Sequence, residues 1–177
     1  MTEDFEATIK AARDGDASAF AQLYSAVYKD MYHIACFSLR STHDAEDVVS
    51  EAVLDAFGSI GKLKNEQAFK FWILKILSAK IKRKQKEYCK AKDASDLESV
   101  NLSEQFDFSN VELSQAMASL PDKDKLILSM SVLEGYSSSE IAQLMGMTSV
   151  GVRSRLMRIK TRLKDRLVTT AEEGNYV

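Results

Sequence analysis

One proline, Pro121, and seven glycines are all that a chain of 177 residues holds of either type. Little in it therefore breaks a helix or demands a tight turn. No run of alternating apolar residues is joined by Asn-Gly or Asp-Gly, which argues against β-hairpins. Cysteine is just as scarce: Cys36 and Cys89 form no Cys-x-x-Cys pair, and His33 and His43 lack metal-ligand spacing to them. Two reduced thiols in a cytosolic protein are expected, with no disulfide framework and no metal site. There is no signal peptide and no apolar run long enough to cross a bilayer, so no stable membrane insertion is expected. The chain also lacks a Ser/His/Asp arrangement, a glycine-rich phosphate loop and a metal cluster, so neither enzyme nor cofactor chemistry is expected.

What is present favours helix. Hydrophobic residues make up 45%, and Ala, Leu, Lys, Glu and Ser are abundant. An all-α protein follows, of one medium domain or two small ones. The net charge of −2 conceals segregation. Residues 1–57 carry eleven acids and four bases. Residues 80–92 carry seven bases and one acid, and residues 93–112 carry six acids and no base. Blocks of this kind suggest separate surfaces for separate partners, nucleic acid for the basic ones.

The stretch from Tyr136 to Leu167 reads as a helix-turn-helix. Ser137 and Glu140 have capping-box spacing. Ile141, Ala142, Leu144 and Met145 supply an apolar side, and Gly146 stops the helix. The second helix starts at Thr148 or Ser149, both good N-caps. Val152, Leu156, Ile159, Leu163 and Leu167 form its buried stripe. Arg153, Arg155, Arg158, Lys160, Arg162, Lys164 and Arg166 cover the rest, with Asp165 the only acid among them. Ordinary solvated faces mix their signs. A face this one-sided suits phosphates and can reach base edges.

Earlier in the chain, residues 3–14 predict a short helix broken by Asp14-Gly15-Asp16. A second begins near Ala17, with Phe20, Leu23, Tyr24, Val27, Tyr28, Met31, Ile34, Ala35 and Leu39 as a core stripe. Ser41 to Asp44 cap a third, whose buried face is Val48, Val49, Ala52, Val53, Ala56 and Phe57. Asp47, Ser50, Glu51, Leu54 and Asp55 fall opposite, and an apolar Leu54 among charges suggests an interface. A loop is expected from Gly58 to Glu66, then a helix over 67–88. There Phe69 reads as core. For Trp72, core and stacking surface are both open. A basic helix carrying aromatics, with Lys75, Lys80, Lys82 and Arg83, suits single-stranded or melting DNA. Residues 1–90 are thus expected as one helical domain, 91–110 as an acidic linker, 111–168 as a second domain whose next helix starts at Pro121, and 169–177 as a polar, frayed tail.

Four stretches together resemble bacterial sigma factors of the sigma-70 superfamily, of the extracytoplasmic-function type: Asp44-Ala-Glu-Asp-Val-Val-Ser-Glu51, Ala68-Phe-Lys-Phe-Trp-Ile-Leu-Lys-Ile76, Leu120-Pro121 with its helix, and Ser139 to Gly146 with Val152-Arg-Ser-Arg-Leu-Met-Arg158. The resemblance implies two domains, similar to sigma regions 2 and 4, joined by a flexible linker. Asp47, Ser50, Glu51 and Leu54 would grip the clamp helices of the polymerase β′ subunit, and the second domain would meet the β flap. Leu63, Lys64 and Asn65 resemble the loop that captures a flipped −10 base. Trp72, Lys75, Lys80, Lys82 and Arg83 resemble the wall holding the melting strand. Arg153, Ser154, Arg155, Met157, Arg158, Lys160 and Arg162 would face the −35 element. Core RNA polymerase, promoter DNA and an anti-sigma factor are the implied partners. The family pattern carries Gln where this chain has Ser50, Asn where it has Ala79, and Gly-Thr where Val150-Gly151 precedes Val152.

Two other classes compete. A stand-alone helix-turn-helix regulator would dimerise on two half-sites, but no dimer helix is evident and the 80–92 basic block would go unused. A purely protein-binding adaptor leaves the basic recognition helix without a role.

Overall fold

The computed structural model describes residues 3–63, 65, 68–92 and 111–173. Among these residues every regular element is helical. The order is α1 (Glu3–Arg13), α2 (Ala17–Leu39), α3 (Thr42–Ser59), a 3-10 turn (Ile60–Lys62), α4 (Phe69–Lys92), α5 (Val111–Ala118), α6 (Asp122–Leu128), a π turn (Ser129–Leu133), α7 (Ser138–Met145) and α8 (Ser149–Glu173). From residue 93 onward the expected linker lies outside the described residues.

Local chemistry sets most boundaries. The Asp16 carboxylate accepts from the amides of Ser18 (2.8 Å) and Ala19 (3.1 Å) and so opens α2. Arg40 closes α2 in the left-handed region (φ 56°), donating its amide to the Cys36 carbonyl at 2.8 Å. The Ser41 hydroxyl then accepts from the Asp44 amide at 3.2 Å and starts α3. Pro121 precedes α6, where its missing N–H costs no helical bond.

Three helices outrun their expected ends. α3 continues through Gly58 to Ser59, because buried Ala56 and Ile60 anchor it on either side. α4 continues to Lys92 and α8 to Glu173, where nothing in the sequence breaks a helix. The π turn was not foreseen. At its start the Ser129 hydroxyl donates to the Leu126 carbonyl at 2.9 Å, the kind of local competitor that loosens a helical ladder.

The helices from α1 to α4 pack around Leu23, Met31, Ile34, Phe69, Ile73, Leu77 and Ile81, all essentially buried. Two aromatics expected in this core lie at its edge. Phe57 is 43% exposed, covered on one side by an edge-on contact with Phe20 at 5.1 Å. Tyr28 is likewise exposed, stacked on Tyr32 at 5.8 Å and edge-on to Tyr24 at 5.5 Å.

The apolar core does not stop at α4. Leu126, Ile127, Met130, Ile141, Leu144, Met145 and Val152 belong to the same continuous cluster. Phe37 of α2 packs with Leu120, Leu128 and Ile159. The two halves thus share one interior, with α2 against α6 and the π turn, and α4 against α7. The side-chain amide of Gln85 donates to the Ser38 carbonyl (3.3 Å) and the Asp122 carbonyl (3.2 Å), which ties α2, α4 and α6 together.

Trp72 is the one tryptophan and reports on α4. Ile127→Ala leaves a cavity in the shared interior and is expected to cost about 2–5 kcal/mol. In urea melts followed by Trp72 fluorescence, the midpoint should fall although the mutation sits in the other half. An unchanged midpoint would show that the halves unfold independently.

Candidate nucleic-acid interface

The helix-turn-helix is built by its caps. The Ser137 hydroxyl accepts from the Glu140 amide (3.3 Å), while the Glu140 carboxylate accepts from the Ser137 amide (2.8 Å) and hydroxyl (2.6 Å). These bonds hold the Glu140 carboxyl below its ordinary range. Gly146 closes α7 at φ 66°, with its amide on the Ala142 carbonyl. The Thr148 hydroxyl accepts from the Gly151 amide at 3.1 Å and opens α8. Ile141, Ala142, Leu144 and Met145 face inward against Val152 and the partly buried Leu156.

On α8 the outer surface carries Arg153, Ser154, Met157, Arg158, Lys160 and Arg162, all exposed. Met157 is 73% exposed, an apolar tip amid cations. Arg155 behaves differently. Its guanidinium donates to Asp124 of α6 at 2.6 Å and fastens α8 to the helix behind it. Position 155 flanks the buried stripe between Val152 and Ile159, which marks it as less exposed than Arg153 and Ser154, but its partner Asp124 is remote in the sequence.

The basic run of α4 divides between two neighbours. One face turns to the acids of α3. Lys80 lies 2.6 Å from Asp55 and 3.4 Å from Glu51, and Arg83 pairs with Glu51. Lys84 lies 2.6 Å from Asp44, which also accepts the Tyr88 hydroxyl. The bond to Asp55 is the main reason the Lys80 ammonium is held above its usual range. Slight burial pushes the Glu51 carboxyl up, but the hydrogen bonds from Arg83 and Lys80 bring it below its ordinary value. The other face turns to the C-terminal half. Lys82 donates to the Met145 carbonyl at 3.5 Å, and burial, then Lys123, pushes its pKa down.

The acidic face of α3 is as the spacing predicts. Asp47, Ser50 and Leu54 point to solvent, and Leu54 is 72% exposed. Of the predicted base-capturing loop, only Leu63 and Asn65 are among the described residues. Leu63 is a core residue at 4% exposure. Asn65 is exposed, and Lys64 lies outside the described residues. Trp72 is partly buried against Phe69 (6.1 Å), and Lys75 is exposed beside it along α4.

Residues 23–88 match the family described as Sigma-70 region 2, and residues 110–163 match Sigma-70, region 4. Together they span about two thirds of the chain. The chain belongs to the sigma-70 family. Among its relatives, the RNA polymerase sigma factor SigV of Bacillus subtilis is 28% identical over 73% of this chain and 80% of its own. The ECF RNA polymerase sigma factor SigW of the same organism is 25% identical, over 90% of this chain and 94% of its own. The fold is also that of the sigma factor RpoE from Bartonella quintana, solved in complex with the anti-sigma factor NepR. The TM-score is 0.72 at 20% identity, covering 84% of this chain and 96% of that one.

The three departures from the sigma-70 pattern fall in different settings. Ser50 and Ala79 are both exposed, so each changes a surface and leaves the core intact. A methyl group at Gly151 would sit 3.0 Å from the Thr148 hydroxyl, so the small residue keeps room for the cap of the recognition helix.

Gly146→Ala places a side chain at φ 66° and is expected to cost about 1–2 kcal/mol. Gly58→Ala, in a helix with free space around it, should instead add about 0.5–1 kcal/mol. Urea denaturation of both variants checks the opposite signs.

Proposed function

We propose that this sigma-70 family chain acts as the promoter-reading subunit of bacterial RNA polymerase, with no catalysis of its own. In this reading it binds core polymerase, recognises the −10 and −35 elements with its two halves, and helps open the duplex. The observation that carries it is the exposed, almost wholly cationic outer face of α8 on a well-capped helix-turn-helix, joined in one chain to a second basic helix.

The N-terminal half, residues 1–90, would serve the polymerase clamp and the −10 element. Asp47, Ser50, Glu51 and Leu54 suit a partner that is basic with an apolar notch. Asn65, Trp72, Lys75 and Arg83 suit an unstacked strand, whose trapped bases offset the cost of unpairing. The C-terminal half, residues 111–168, would meet the −35 element through Arg153, Ser154, Met157, Arg158, Lys160 and Arg162, and the β flap through another face. Lys80, 15% exposed, is held by Asp55 and Glu51, whereas the exposed Arg83 needs no special release for this work. Exposed ion pairs contribute about 0–1 kcal/mol, and a phosphate that releases counterions competes well with them. Lys82 differs, because reaching DNA requires it to leave the Met145 carbonyl. An anti-sigma factor is a fitting further partner, since the similar RpoE fold was captured with one.

The direct test is transcription from fragmented host DNA by purified core polymerase, with and without this chain. New start sites sharing two upstream motifs are expected. A chain that does not bind core polymerase would sink the proposal in favour of a stand-alone regulator. On the promoter so found, Arg158→Ala should lower binding by about 1–3 kcal/mol and relax preference at one −35 position. Lys75→Ala should weaken all sequences evenly and reduce the salt slope by about one. Equal losses on all sequences for Arg158→Ala would refute base reading by that residue.

A further inference from the structure

The interface between the halves is mostly apolar, but one polar cluster sits across it. α2 brings Asp30 and His33, α4 brings Lys70 from its first turn, and the segment between the π turn and α7 brings Glu134 and Tyr136. The Lys70 ammonium is 2.5 Å from Asp30 and lies 5.6 Å from the centre of the Tyr136 ring. The Glu134 side chain is 8% exposed. Its Oε1 makes no hydrogen bond, although His33 Nδ1 is 3.6 Å away. The Tyr136 hydroxyl is buried without a hydrogen-bond partner.

The backbone holds Glu134 there. The π turn ends at Leu133 with Glu134 as its C-cap, Gly135 turns the chain at φ 68°, and the Tyr136 amide returns to the Met130 carbonyl at 2.9 Å. Met130 is buried in the shared interior. The backbone at Glu134 is therefore anchored to the shared interior.

The charges do not balance. Lys70 already serves Asp30, so the nearest cation an ionised Glu134 could have is a protonated His33 at 3.6 Å. Burial, then a hydrogen bond with the Asp30 carboxyl, pushes the Glu134 carboxyl up to about 7. The neighbours do not remove the problem. Lys70 and Lys29 favour the charged form but leave the net shift upward. Burial, then Lys29, disfavours a charged His33. Glu140 adds a further carboxylate within the influence of Lys70.

We propose that the buried Glu134, set beside the Asp30–Lys70 pair, forms a proton-dependent latch that keeps the two halves together while its carboxyl is protonated and loosens them when the proton leaves. The sign follows from linkage. A carboxyl whose pKa is raised in the closed form favours that form below its ordinary pKa. That advantage is lost as pH climbs from the ordinary value, 4.5, to about 7. In this window one titrating group changes the closed-to-open ratio by up to about tenfold per pH unit. Opening would free Lys82 from the Met145 carbonyl and part α7 from α4. That this serves promoter binding rests on the sigma-factor reading; the latch itself does not.

The test therefore uses neither DNA nor polymerase. Small-angle X-ray scattering of the full chain, at fixed salt and from about pH 5.5 to 8.5, should show a radius of gyration near that of a globular chain of this length (about 16 Å) at the acid end and a larger one at the basic end. Glu134→Gln keeps a hydrogen-bonding group but cannot ionise, and it should stay compact throughout. Asp30→Asn removes the repelling neighbour and should flatten the pH dependence. A wild-type size that ignores pH, or the same expansion in Glu134→Gln, would overturn the latch. If a variant misfolds, carboxyl-carbon NMR of the wild type still decides: a Glu134 midpoint below about 5 refutes the proposal, and one near neutrality supports it.

Discussion

Burial of the π turn and α6 against α2 is the contact on which the rest of this molecule depends. Leu126, Ile127 and Met130 complete an interior that α1 to α4 would otherwise leave open on one side. The attraction is hydrophobic, so it fixes proximity without fixing direction. Direction comes from the polar groups laid over it. The Ser38 and Ser129 hydroxyls approach to 3.5 Å, and Gln85 bridges two backbone carbonyls. A buried donor that loses its acceptor is costly, so these bonds disfavour slipped arrangements of the halves more than they add attraction.

That packing sorts the charges into three groups. The acids of α3 and the bases of α4 lie side by side and largely neutralise one another at the surface. Arg155 and Asp124 join the inner side of α8 to α6. The outer side of α8 keeps its cations exposed. This last group presents an extended positive surface, and in an acidic protein such a field orients the molecule towards a polyanion. The sorting explains how a net charge of −2 coexists with a nucleic-acid surface.

The same packing has a weak point where charge enters it. Asp30, Lys70, Glu134 and Tyr136 sit where a purely apolar contact would have been more stable, since buried charges repay their desolvation poorly. Their presence makes the contact between halves conditional in a way that leucines would not. In the proposed reading, with one promoter element for each half, an interface that is specific yet able to part is an advantage.

Much of this was legible in the sequence because the signals were local. Ser137 and Glu140 are three residues apart, Gly146 follows the last apolar residue, and Val152, Leu156 and Ile159 keep helical spacing. These marks set the helix-turn-helix without reference to anything distant. The acidic face of α3 was readable for the same reason. Where the reading fell short, the deciding partner was remote. Leu63 looked like a loop residue but fills the core, and Phe57 looked buried but borders it. Lys82 and Arg155 looked like free cations, yet one reaches Met145 and the other Asp124. The sequence by itself determined the helices, their caps and which side of each is apolar, because those follow from spacing along one chain. Only the tertiary structure decided which helix covers which face and which charges meet, because charge pairing and burial depend on distances between residues that spacing does not encode.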